Sequence, residues 1–176
     1  MRWFWIDKFT EFVCGEYAVG IKQVSLSEHH VCGNIPSMPA MPASLIIEGI
    51  AQTGGLLVSQ QFDFEQKVVL AKIARANFDY FAGSGETLEY RTTIQRLTDD
   101  GGIVLGEASC NGKPLGSAEI VFAYLSTGFE HVRLFQPSEL LEMLRSLGLF
   151  KVACHPDGTP LEIPQSLLVA DTPVGK

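Results

Sequence analysis

The chain is short of charge, and the charge it has is mostly acidic. Only 19% of its 176 residues are Asp, Glu, Lys or Arg, against 46% apolar residues, and the formal net charge is -7. So low a charged fraction beside so many apolar residues excludes a disordered, solvated chain. The acidic balance argues against a nucleic-acid partner, because phosphates reward basic patches. No run of about 18 apolar residues occurs, so neither a transmembrane helix nor a membrane partner is expected. The opening residues, MRWFWIDKFTEFV, are interrupted by Asp7, Lys8 and Glu11 and lead to no small-residue cleavage site. They do not read as a secretory signal. Cys14, Cys32, Cys110 and Cys154 stand far apart, without a C-x-x-C pair. Neither a zinc site nor a redox motif is indicated, and free thiols in a reducing, cytoplasmic setting are the simplest reading. No metal and no cofactor is expected. There is no internal repeat and no low-complexity segment.

What is present suits one domain with a terminal extension. Residues 16–26, EYAVGIKQVSL, partly alternate in polarity and read as a strand. Four more apolar stretches cover 67–78, 86–97, 102–110 and 116–125. Leu88, Tyr90, Thr92 and Ile94 share one face of the second, and Ile120, Phe122 and Tyr124 share one face of the fourth. That pattern suits a sheet with one covered side. Gly83-Ser84-Gly85, Asp99 to Gly102 and Asn111-Gly112 supply the turns of an antiparallel meander. Residues 137–149, PSELLEMLRSLGL, read as an amphipathic helix with Ser138 as N-cap and Gly148 just past its end. The tail beyond holds Pro156, Pro160, Pro164 and Pro173 and is expected to be extended and packed on the surface or partly mobile. The expected division is a main domain over 1–130 and a C-terminal extension over 131–176.

The most informative stretch is GNIPSMPAMPASLIIEGIAQTGG, residues 33–55. A proline-rich loop runs directly into a helix expected from about Pro42 to Gln60. Pro42 fits the first turn, where its missing N–H costs nothing. Leu45, Ile46, Ile47, Ile50, Ala51, Leu57 and Val58 cover nearly the whole circumference, the mark of a buried helix. The economical architecture is α+β, with a curved antiparallel sheet wrapped around this helix. Gly49, Gly54 and Gly55 cost helix propensity, about 1 kcal/mol each. Their compensation is close approach of a neighbouring backbone or of a substrate. Inside the helix sits one acid, Glu48, with Gln52 four residues on, on the same face and within hydrogen-bonding reach. A buried carboxylate without a partner is costly. Position alone leaves two readings open: a structural Glu satisfied by Gln52 or a strand, or a functional acid.

The pattern G-N-I-P-x-x-P-x-M-P-x-x-L-I-I-E-x-x-A-Q-x-G-G resembles the signature of the 3-hydroxyacyl-[acyl carrier protein] dehydratases. The resemblance runs from about Phe4 to Leu125, and includes LAKIARANFDYFAGSGETLEY and GEASCNGKPLGSAEIVFA. It implies a hotdog fold, a long helix wrapped by an antiparallel sheet, in a homodimer or trimer of dimers. It also implies a lyase of fatty acid biosynthesis that dehydrates 3-hydroxyacyl thioesters to trans-2-enoyl thioesters carried on acyl carrier protein or coenzyme A. The family's acid falls on Glu48. Its catalytic His falls on Asn34. The Gly whose backbone N–H binds the thioester carbonyl falls on Ala43. Ile35, Met41, Pro42, Gln52 and Phe78 are the residues expected to contact substrate. In the family, the loop residue and the helix acid of one site come from different subunits.

The chemistry explains these residue types. A helix N-terminus offers unpaired N–H groups and a positive dipole end to a developing oxyanion. A carboxylic acid in an apolar pocket can protonate a leaving hydroxyl, and a His is a natural base. Asn34 departs from this scheme, because a carboxamide accepts no proton at physiological pH. His29 and His30 upstream are candidate substitutes, or simply strand-end histidines. Cys32 is a candidate nucleophile, or an inert buried thiol. The family tends to place basic residues near the Phe after the helix. Here Asn77, Asp79 and Tyr80 surround Phe78, and Lys72 and Arg75 are the nearest cations. Docking of an acidic carrier is thus weakened or moved, unless those two cations form only a solvated strand face. Two other functions stay open: an acyl thioesterase in which Glu48 is a general base, and a non-catalytic acyl-chain-binding subunit.

Overall fold

The structure is a computed structural model, and it describes residues 4–28, 31, 39–125 and 134–168. Its strands are β1 (Lys8–Val13), β2 (Tyr17–Gln23), β3 (Ala40–Met41), β4 (Val68–Phe78), β5 (Ala82–Gly83), β6 (Thr87–Leu97), β7 (Gly101–Cys110), β8 (Lys113–Tyr124) and β9 (Ala153–Cys154). Its helices are α1 (Ala43–Gln60), α2 (Pro137–Ser146), α3 (Leu149–Val152) and α4 (Gln165–Leu168). Seven strands form one sheet in the order β4-β8-β7-β6-β2-β1-β9, and β3 and β5 form a separate two-stranded ladder. All pairs are antiparallel except β1 with β9. This is the hotdog arrangement, with α1 lying against one face of the sheet.

The alternation in β6 and β8 is why the sheet has an inner face. Leu88, Tyr90 and Thr92 are fully buried, and Ile120, Phe122 and Tyr124 are buried beside them. Hairpins fix the register. The β7–β8 turn places Asn111 at φ 49° and Gly112 at φ 78°, the left-handed pair that a tight two-residue hairpin requires.

α1 sits unusually close to the sheet because of its glycines. A Cβ at Gly49 would overlap the Tyr90 ring and stand 2.9 Å from the Trp5 carbonyl, and one at Gly54 would stand 2.9 Å from Val104 Cγ1. Their propensity cost is thus offset by packing with sheet side chains. The burial of α1 is one-sided within a single chain. Ile46, Ile50, Leu57 and Val58 are fully buried, whereas Leu45, Ile47 and Leu56 are only partly covered.

Residues after 134 pack more closely than an extended tail. β9 pairs with β1, Phe9 N–H donates to Leu147 O (2.8 Å) and Cys14 N–H donates to Cys154 O (2.8 Å). Leu144 and Leu149 are fully buried, with Leu161 and Leu167 close to it. The far end returns to the turn after α1, where Ser166 Oγ donates to Asp63 O at 3.0 Å. α2 starts with Gln136 at its cap rather than Ser138, because Pro137 already has the backbone angle of a first helical residue. Glu139 Oε2 accepts from Gln136 N–H at 3.4 Å. Gly148, at φ 69°, ends the turn that follows α2. No helix among the described residues is long and apolar enough to cross a membrane.

The seat of α1 is testable. Gly49→Ala should destabilise the protein by about 1–3 kcal/mol, since the methyl must displace Tyr90. Tyr90→Phe should cost nothing or stabilise slightly, because the buried Tyr90 hydroxyl has no partner among the described residues. Urea unfolding at equilibrium checks both. A neutral Gly49→Ala would show that the ring does not rest on the helix.

Candidate active site

The N-terminus of α1 is bare. Pro42 is the N-cap, at φ -62° and ψ 140°, and it offers no side-chain cap. The first turn contains no acid. Pro42 O accepts the N–H groups of Leu45 and Ile46, but those of Ala43 and Ser44 find no acceptor among the described residues. Backbone donors and the positive end of the helix dipole are therefore unclaimed among the described residues.

Ala43, the first residue of the helix, lies on a cleft of about 340 Å³ lined also by Ile46, Phe78, Asp79, Tyr80 and Phe81. The small β3–β5 ladder holds its parts together. Met41 pairs with Ala82 and Ala40 with Gly83, so the residues just before α1 are tied to those just after the aromatic wall. Met41 and Ala82 are both fully buried. The wall is also fixed at Asp79 N–H, which donates to Leu115 O (2.9 Å), and at Tyr80 Oη, which donates to Lys113 O (3.3 Å).

Glu48 lies elsewhere on the helix. Five residues at about 100° each set it about 140° around α1 from Ala43. It does not line the cleft of its own chain. It is half-buried, on the side of α1 that also carries the partly covered Leu45 and Leu56. Its orientation is set by a relay. Gln52 Nε2 donates to Glu48 Oε1 at 3.1 Å, and Gln52 Oε1 accepts from Trp5 N–H at 2.8 Å. The Trp5 donor settles which way the Gln52 amide faces, so the NH₂ end must point at the carboxylate.

Of the residues singled out from the sequence, the structure brings Ala43 and Phe78 into one cleft, with Pro42 and Met41 adjoining in the chain. Glu48 and Gln52 form a hydrogen-bonded pair on another face. Asn34 and Ile35, with His29, His30 and Cys32, lie outside the described residues. Sequence reasoning missed Ile46, Asp79, Tyr80 and Phe81 as lining residues. The signal was there in FDYF, a dense aromatic run directly before a Gly-Ser-Gly turn. Lys72 and Arg75 are exposed on β4, away from the cleft lining.

Fold and cleft together define a hotdog domain with a bare helix start and an acid on the central helix. Comparison with known proteins narrows this. Residues 4–118 match the FabA-like domain. The chain is 31% identical over 118 residues to the 3-hydroxyacyl-[acyl-carrier-protein] dehydratase FabZ of Clostridium botulinum (strain Okra / Type B1), covering 66% of this chain and 82% of that one. It is 33% identical over 120 residues to FabZ of Campylobacter jejuni, covering 65% and 82%. The chain belongs to the FabA-like family. Solved structures agree on the fold. A Streptococcus mutans protein bound to acetyl CoA superposes with a TM-score of 0.58 at 13% identity, covering 72% of this chain and 94% of that one. The dehydratase heterocomplex ApeI:P of Xenorhabdus doucetiae gives 0.56 at 16% identity, covering 79% and 88%.

Proposed function

We propose that the protein is a dehydratase of 3-hydroxyacyl thioesters, carried on acyl carrier protein or coenzyme A, working in fatty acid synthesis. The observation that carries the reading is the uncapped start of α1, whose first residue, Ala43, lines a largely apolar cleft and whose Ala43 N–H has no acceptor among the described residues. The thioester oxygen accepts from the Ala43 N–H, and the helix dipole stabilises the charge that develops there as the α-proton leaves. Glu48 supplies the ionisable group. As carboxylate it takes the C2 proton; as the resulting acid it protonates the C3 hydroxyl, which departs as water. Asn34, at the family's His position, donates a hydrogen bond and takes no proton. The acyl chain packs against Phe78, Tyr80 and Phe81.

The separation of Glu48 from the Ala43 cleft supports a site shared by two chains. Each homodimer then holds two sites, and each site takes the helix start of one chain and the acid of the other. The β4 edge is the matching surface: it is the long edge strand of the sheet, opposite the two-residue β9, with Leu70 42% and Ile73 43% exposed. A second copy adding its own β4 would extend the sheet and cover those side chains. Asn34 itself favours one other reading, an acyl-chain-binding subunit without turnover.

Hydration of a trans-2-enoyl thioester, followed as loss of enoyl absorbance, tests the reaction in reverse. Wild type should be active, and Glu48→Gln should lose essentially all turnover. Ala43→Pro should keep the fold, because Pro is tolerated at a first helical position, yet lose about 10²–10³-fold in turnover with its donor. Asn34→His should raise turnover by about 10²-fold or more, by restoring a base. Thiol release without hydration would mean a thioesterase instead, and neither activity would mean a binding subunit. For the assembly, Ile73→Asp should shift the protein from dimer to monomer in sedimentation velocity. A monomeric wild type at micromolar concentration would remove the shared site.

A further inference from the structure

The lining of the cleft divides into a floor and a rim. Ile46 is 1% exposed and Ala43 is half-buried, whereas Tyr80 is 37% and Phe81 50% exposed, with Asp79 exposed beside them. Among the described residues, Asp79 is the one charged member of the lining. Its backbone is fixed by the bond from its N–H to Leu115 O. Its carboxylate has no hydrogen bond or ion pair among the described residues. A second acid stands close by. Glu86 comes just after β5, which follows Phe81 directly. Its Oε2 accepts from Gly83 N–H at 2.6 Å, and its Oε1 accepts from Asn111 Nδ2 at 3.3 Å. The Tyr80 phenol is pushed up in pKa by partial desolvation, then by the Cys110 thiol and the Glu86 carboxylate, so the charge of Glu86 reaches the rim.

Cations do not balance these acids. Lys113, whose carbonyl accepts from Tyr80 Oη, adds one positive charge on this side. At about 3.3 Å per residue, Arg75 and Lys72 lie about 13 Å and about 23 Å back along β4 from Asp79, beyond the physiological screening length of about 8 Å. A rim of this sign acts on the carrier rather than on the acyl chain. The thioester reaches the Ala43 N–H on the end of a pantetheine arm, so whatever holds the arm stands at the rim. An acidic carrier protein must lay its surface around the mouth, where like charges face each other and slow the encounter. Coenzyme A ends the same arm in a small head that can turn into solvent, so its phosphates need not come within a screening length of Asp79.

We propose that Asp79 is a specificity-determining residue: its carboxylate on the rim turns the cleft against acidic carrier proteins and toward thioesters of coenzyme A. This rests on the dehydratase reading for the substrate and adds the carrier to it. Asp79 moves no proton. It acts on the encounter, and Glu86 adds to its field from behind the rim.

Hydration of trans-2-butenoyl thioesters of coenzyme A and of an acidic acyl carrier protein, by the same full-length variants, tests the idea. Wild type should prefer the coenzyme A thioester in kcat/KM. Asp79→Lys should move the ratio of the two kcat/KM values about tenfold toward the carrier protein, with the change falling on KM. Glu65→Lys makes the same change of net charge just past the far end of α1, and should move the ratio less than about twofold. Added salt should raise wild-type kcat/KM on the carrier protein, and should fail to raise that of Asp79→Lys. No shift in Asp79→Lys, or an equal shift in both variants, would overturn the proposal. Fluorescence anisotropy of labelled acyl carrier protein reads the same preference without turnover. Tighter binding to Asp79→Lys than to wild type and Glu65→Lys, in a protein that hydrates neither thioester, upholds the role of Asp79 and removes the dehydratase reading. Equal binding to all three removes the role of Asp79.

Discussion

The close seat of α1 on the sheet is the constraint from which the rest of the site follows. Gly49 and Gly54 let the helix approach Tyr90 and Val104 nearer than any side chain would permit. That contact fixes the rotation of α1, and rotation decides what each face meets. Ile46, Ile50 and Leu57 go into the core. Ala43 opens onto the aromatic cleft, and Glu48 is carried to a half-covered side. A helix seated an ångström higher would still bury its apolar residues, but it would lose the register between its bare N–H groups and the wall built by Phe78, Tyr80 and Phe81.

Two anchors keep the helix start bare. Pro42 caps the helix without supplying a side-chain acceptor, and the β3–β5 ladder engages Ala40 and Met41 instead of the helix start. Unsatisfied donors at a half-covered position cost stability unless a ligand or water meets them. Their persistence beside an apolar cleft is what a site for a developing oxyanion requires.

Much of this was legible in the sequence, for local reasons. The strands 68–78, 87–97 and 101–110 and the helix 43–60 follow from alternation, helical spacing and glycine turns, all of which act within a few residues. The pairing of Glu48 with Gln52 followed from helical spacing alone. β1 was not read as a strand, because KFTEFV scatters its charges and its burial depends on β2 and β9, one of them far away in the chain. β9 is two residues long and exists only through its partner, so no pattern could mark it. The tail's prolines suggested a segment packed on the surface or partly mobile, and Leu161 and Leu167 are buried by contacts that no local pattern marks. The aromatic wall was missed because Tyr80 and Phe81 matter through the cleft they face, which is a property of three-dimensional arrangement. The relay from Trp5 to Glu48 shares that character, since it joins residues remote in sequence.

The central claim is that one catalytic centre draws its oxyanion donor and its acid from different chains. Co-expression of Glu48→Gln with Ala43→Pro, each separately impaired, tests it directly. In a mixed dimer one site pairs the intact helix start of the first variant with the intact acid of the second. Random assembly should then restore about a quarter of wild-type hydration. Activity no higher than that of the separate variants, in a preparation shown by mass spectrometry to contain mixed dimers, would contradict the account.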